Sequence, residues 1–131
     1  MNILMIGELY KFGGASEIME MLAQRLEYCG HRVVLVFGYN YNEYKVVDNH
    51  YIIYNNSFLR RLNNKFKYYF EKYNFTNLYS ELFIINIIKK YNIDIVHLHA
   101  MQGGFLYMSA LEKILKKNNV VWTVHDTWPI T

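Results

Sequence analysis

The sequence holds a single cysteine, Cys29, which excludes an internal disulfide and fits a reducing compartment. It has no apolar run approaching the roughly 18 residues needed to span a bilayer. No charged leader with a small-residue cleavage site precedes the first apolar run, so a cytoplasmic location is expected. Charge of one sign is also scarce: 14 Lys and Arg stand against 11 Asp and Glu, and a net +3 is too small to point to nucleic acid. No G-x-x-x-x-G-K-S/T phosphate loop occurs. A dinucleotide fingerprint is missing too, because residues 8–12 separate Gly7 from Gly13 and the second apolar run ends in Phe37-Gly38 without an acidic residue.

What is present is a repeated unit in a chain of 131 residues, 53% hydrophobic and 18% aromatic, enough for one domain with a sizeable core. The thirteen tyrosines, with many Asn, Lys and Ile, fit an AT-rich coding sequence and carry little functional weight. Met1 to Ile6 is an apolar run that breaks at Gly7. After Gly13-Gly14 a helical pattern follows, carried by Ile18, Leu22, Leu26 and Cys29, with Glu17 and Glu20 early and Gly30 as the stop. On that face Cys29 is expected to be a small buried hydrophobe. His31 to Phe37 reads HRVVLVF, without polar alternation, as a strand covered on both faces does. Gly38 to Asn49 reads as a loop and Tyr51 to Tyr54 as a short strand. Helical patterns cover Phe58 to Tyr73 and Leu78 to Tyr91, Ile93 to His99 is a strand, Phe105 to Lys117 a helix, and Val120 to Val124 a last strand. The spacing predicts an α/β domain, a Rossmann-like doubly wound parallel sheet of about five strands. Ligands in such sheets collect beyond the C-terminal strand ends, which brings the loop from Gly7 to Gly14, His97 to Gly104 and His125 to Trp128 to one edge.

Each of these segments carries a possible chemistry. Backbone N–H groups at a helix start, with the positive end of the dipole, stabilise an anion. Gly13 and Gly14 would let a phosphate approach them, although an isolated Gly-Gly is more often a plain turn. His97 and His99, two apart on a strand, leave on one face. A metal pair can be drawn from them, but without a second cysteine a hydrogen-bonding role at a strand end is the commoner one. His125 ends a β-branched strand and is followed by Asp126, which either orients it or caps the next turn.

Between Phe58 and Tyr73 five basic residues, Arg60, Arg61, Lys65, Lys67 and Lys72, face one acidic residue, Glu71. Phe58, Leu59, Leu62, Phe66, Tyr69, Phe70 and Tyr73 share a helical face. Such a helix either lies on an anionic membrane with its aromatic face inserted, or packs that face on the domain and solvates the basic one.

Two blocks, MNILMIGELYKFGGASEIMEMLAQRLEYCGHRVVLVF and IDIVHLHAMQGGFLYMSALEKILKKNNVVWTVHDTWPIT, together well over half of the chain, resemble the N-terminal domain of group 1 glycosyltransferases with the GT-B fold. The second block is the more specific and resembles the exopolysaccharide, colanic-acid-like branch. The resemblance implies the acceptor-side domain of a retaining enzyme, with a nucleotide-sugar donor and a glycan or lipid-linked acceptor. It also implies Gly13 and Gly14 at the donor diphosphate, His125 at the reaction centre, and His99, Gly103, Gly104 and Asp126 on the acceptor side. No metal or other cofactor is implied, since helix ends and basic side chains neutralise the leaving diphosphate.

Where the family usually has a glutamate or small residue and then an arginine after the glycine pair, this chain has Ser16 and Glu17. The donor-binding domain of the family has no counterpart here, so the chain alone is expected to lack activity, and a truncated, non-catalytic binding module of the same fold is the alternative. A bare edge on the last strand would favour self-association. An unrelated flavodoxin-like or dinucleotide-binding domain is a third reading. Peripheral contact with the inner face of a membrane through Arg60, Arg61, Lys65 and Lys67 is a further expectation.

Overall fold

The computed structural model describes residues 1–73, 78–101, 104–106 and 108–125, without the side chains of 67, 68, 70–73, 108, 109 and 115. The elements follow in the order β1 (Asn2–Leu9), α1 (Gly14–Tyr28), β2 (Arg32–Tyr39), β3 (His50–Tyr54), α2 (Ser57–Tyr73), α3 (Leu78–Tyr91), β4 (Ile95–Leu98), α4 (Met108–Lys117) and β5 (Asn119–Trp122). All strand pairs are parallel, in the order β3-β2-β1-β4-β5. The chain begins at the centre of the sheet, steps outward to β3 and then crosses to the far side of β1. At that reversal, between β1 and β4, a crevice opens beyond the C-terminal strand ends.

The apolar runs explain the two-sided cover. Successive strand residues point to opposite faces, so an uninterrupted run such as Ile3 to Ile6 needs helices on both. One core cluster joins Ile3, Met5, Val33, Leu35 and Phe37 to Met19 and Ala23 of α1. The other joins Leu4, Ile6, Val34, Val36, Val96 and Leu98 to Ile84 and Ile87 of α3 and Leu111 and Ile114 of α4. On this second side Lys113 of α4 reaches both carboxylate oxygens of the buried Glu81 of α3, at 2.9 and 3.0 Å.

Several boundaries and faces differ from expectation. Strand β1 does not break at Gly7 but runs to Leu9, pairing Gly7 with Phe37. The glycine serves close packing instead, since a Cβ there would lie 3.0 Å from Met19 Sδ. Helix α1 buries Ser16, Met19 and Ala23, with Leu22 and Leu26 packed beside them, while Ile18 and Cys29 are exposed. Cys29 escapes burial because the helix has ended. Its N–H donates to the Arg25 carbonyl at 3.1 Å, and the chain turns away at Gly30, φ 83°.

Helix α4 begins three residues later than expected, because Phe105 and Leu106 are core residues of the preceding turn. Phe105 packs so closely on β2 that a Cβ on Gly38 would meet its Cγ at 2.4 Å. Strand β5 stops at Trp122, opposite Leu98, where β4 also ends. The Thr123 N–H then donates to the Leu98 carbonyl at 2.9 Å, and His125 lies beyond the ladder.

Candidate functional site

A cleft of about 220 Å³ lies at the β1/β4 reversal. Gly7 and Glu8 from the end of β1, residues 12–16, and His99 and Ala100 after β4 line it, with Met19 and Phe37 completing the wall. The turn into α1 is built around Gly13, whose φ of 82° and ψ of 163° belong to a region that costs side-chain-bearing residues dearly. As N-cap, Gly13 has no side chain to satisfy the first turn, and no side-chain cap bond is made. Glu17 N–H makes the first intrahelical bond, to the Gly13 carbonyl at 3.3 Å. The N–H groups of Gly14, Ala15 and Ser16 precede it without an intrahelical acceptor, and the positive end of the helix dipole meets the cleft.

Two residues of the cleft wall, Ser16 and His99, carry buried polar atoms. Ser16 Oγ and His99 Nε2 are buried without a hydrogen-bond partner, in residues only 6% and 1% exposed. Each such atom costs about 1–3 kcal/mol while unsatisfied. A bound molecule that hydrogen-bonds to them recovers that free energy.

His99 is held beside β1 by its N–H, which donates to the Ile6 carbonyl at 2.9 Å. Its ring lies 4.2 Å from that of His97, centroid to centroid, as their shared strand face predicts. On its other side His99 Nδ1 is 3.0 Å from Nε2 of His125, with the rings stacked at 5.2 Å. His97 Nε2 in turn shares a hydrogen bond of 2.8 Å with Thr123 Oγ1. Burial above all, then His97 and His125, pushes the His99 pKa down to about 3. Burial, followed by His125, also lowers that of His97. A neutral His99 carries one N–H. If Nδ1 donates to His125, Nε2 is an acceptor for a ligand; if Nδ1 accepts, Nε2 is a donor.

The structure thus brings Gly13, Gly14 and His99 into one cleft and ties His125 to it through His99. Gly104 takes another role: with φ 67°, it gives its carbonyl to Nδ2 of Asn63 in α2, at 3.2 Å. Gly103 and Asp126 lie outside the described residues. Arg60 stacks over the Tyr41 ring, 5.1 Å from its centroid, Arg61 and Lys65 are exposed, and the side chain of Lys67 is outside the description. Among the described residues no group of three or more His, Cys, Asp or Glu is placed to hold a metal.

Sequence reasoning brought Glu8 to this edge only as part of the Gly7 to Gly14 loop and missed Ser16 as a wall residue. The usable signal for Ser16 was its spacing from Met19 and Ala23, at i, i+3 and i+7, which marks the inward face of α1.

Residues 12–131 match the glycosyltransferase family 4 domain, from the first residue of the cleft loop onward. The chain belongs to glycosyltransferase family 4. The match and the parallel sheet together establish a GT-B-type N-terminal domain of that family. Among curated proteins, none matches the sequence. The family 4 assignment covers the glycine loop and the whole histidine cluster, the two halves of the site described above.

Proposed function

We propose that this family 4 domain is the acceptor-side half of a retaining glycosyltransferase, which moves a sugar from a nucleotide-sugar donor to a glycan or lipid-linked acceptor. One observation carries the reading: the uncapped start of α1, Ser16 and His99 line a single cleft, and Ser16 Oγ and His99 Nε2 are buried without a hydrogen-bond partner. In the transfer, the bond between the anomeric carbon and the diphosphate oxygen breaks and the nucleoside diphosphate leaves with the electron pair. The acceptor oxygen bonds to the same face of the sugar, and its proton passes to the departing phosphate oxygen.

Negative charge therefore grows on the diphosphate, and the N–H groups of Gly14 to Ser16 stabilise it most when it is fully developed. A donor set of this kind contributes on the order of 10²–10³ in rate per removed donor in comparable sites. His125 is the catalytic residue of this reading, in contact with the transferred sugar or the acceptor. His99 is its positioning residue, holding the imidazole through Nδ1. Diphosphate neutralisation by the helix end leaves no step that requires a metal.

The test is release of nucleoside diphosphate from UDP- and GDP-sugars by the full-length protein, with a lipid-linked glycan extract as acceptor. His125→Ala is expected to lower the rate by about 100-fold or more, as loss of a positioned polar group at a reaction centre does, with nucleotide affinity changed only a few-fold. Release that His125→Ala leaves intact would overturn the assignment of that residue. Absence of nucleotide binding altogether would favour a non-catalytic module of the same fold.

A further inference from the structure

The segment that carries His125 is held from outside the cleft. Strand β5 makes its last pair at Trp122, and the chain then passes over Thr123 and Val124 to reach His125. Thr123 is tied to β4 twice. Its N–H donates to the Leu98 carbonyl at 2.9 Å, and its Oγ1 shares a hydrogen bond of 2.8 Å with Nε2 of His97. Among the described residues His97 takes no part in the cleft wall, which His99 reaches.

Four side chains follow one another from there. His97 and His99 leave β4 on one face, and their ring centroids are 4.2 Å apart. His99 Nδ1 meets Nε2 of His125 at 3.0 Å, with the two rings stacked at 5.2 Å. His125 leads back to Thr123 through the single residue Val124. The contacts therefore close a circuit: Thr123 to His97, His97 to His99, His99 to His125, and His125 to Thr123 along the backbone. In a closed circuit each ring is fixed from two directions, which is how supporting hydrogen bonds and packing hold a functional side chain to its working geometry.

We propose that His97 and Thr123 are positioning residues for His125: their hydrogen bond fastens the segment from Thr123 to His125 onto β4 and braces the His99 ring, and so fixes the His125 imidazole beside the cleft. The placement stands on these contacts alone, whereas its effect on rate rests on the transfer reaction proposed above. Loss of the bond leaves the segment one backbone hydrogen bond to β4, from the Thr123 N–H, and leaves the His97 ring free to turn away from His99.

The experiment follows the ring nitrogens of His99 and His125 by long-range proton–nitrogen correlation in the full chain. Thr123→Val keeps the branched shape and removes the hydroxyl, and Thr123→Ser restores it. Thr123→Val is expected to move the His125 ring resonances and to weaken the nuclear Overhauser contacts between the His99 and His125 rings, at unchanged far-UV circular dichroism. Thr123→Ser is expected to return both toward the unaltered chain. In the nucleotide-release assay on the full-length protein, Thr123→Val is expected to lower kcat about 3- to 10-fold, the worth of one hydrogen bond, with donor KM changed less than about twofold. His97→Leu, which removes the other end of the same bond, is expected to move the His125 resonances as well.

His125 resonances that stay in place in Thr123→Val would overturn the proposal, since a merely structural bond lowers the urea midpoint and leaves the imidazole where it was. An effect of His97→Leu confined to stability would overturn the role given to His97. Moved resonances with kcat intact would overturn the proposal too, because the placement would then serve no reaction. Moved resonances in a protein whose unaltered form releases no nucleotide would sink the transfer reaction and leave the placement of His125 by His97 and Thr123 supported.

Discussion

His99 is the residue whose environment departs furthest from its ordinary chemistry. Unfolded, it titrates near its usual 6.5; folded, it is held to about 3. Below pH 6.5 the unfolded chain therefore takes up a proton that the folded one refuses. The stability that His99 contributes is complete above that pH and is lost as pH falls toward about 3, with an upper limit of about 1.4 kcal/mol per pH unit for one proton. His97 acts in the same direction. His99→Gln is expected to flatten the fall in urea midpoint between pH 6.5 and 4.5, relative to the unaltered chain. An identical pH dependence in the variant would contradict this account of the cluster. The residue scale is also where the sequence was least legible. A serine near a helix start and a histidine at a strand end are common, and only the packing of α1 on β1 and β2, with β4 set beside β1, shows that Ser16 Oγ and His99 Nε2 are both buried and both unpaired.

At the scale of elements, the strands were the readable part, because uninterrupted β-branched and apolar runs such as HRVVLVF have few alternatives in a chain of this length. Helix faces were harder. In α1, Ile18 is as apolar as Met19, and the phase was decided by which of them could approach Gly7. Among the described side chains of α2 the buried one is an asparagine, a choice that makes sense only once Tyr39, Tyr54 and Gly104, from three other segments, converge on its amide. The start of α4 was misplaced for a related reason, since Phe105 is pinned in a turn against Gly38. That contact gives a direct test of how β2 and the turn are fitted together. Gly38→Ala drives a Cβ into the Cβ and Cγ of a fully buried ring rather than its movable end, and it is expected to destabilise the fold by about 1–3 kcal/mol in urea unfolding. Unchanged stability would mean that the turn is free to withdraw from β2.

For the whole molecule, the order β3-β2-β1-β4-β5 does the organising, because it places the reversal of strand order beside a loop built on a glycine N-cap of positive φ. The parallel sheet and the family 4 match account for each other. Among the described residues β5 pairs on one side only, with β4, and Val121 on it is half exposed. Under the proposed function, the cleft between β1 and β4 receives the diphosphate of a nucleotide sugar at the start of α1. A titration of the chain with UDP, GDP and their sugars, followed by amide chemical shifts, decides whether it does. Saturable shifts concentrated at Gly13, Gly14, Ser16 and His99, weakened by Ser16→Ala, are expected. Shifts scattered over the surface, or none in that loop with any nucleotide, would contradict it.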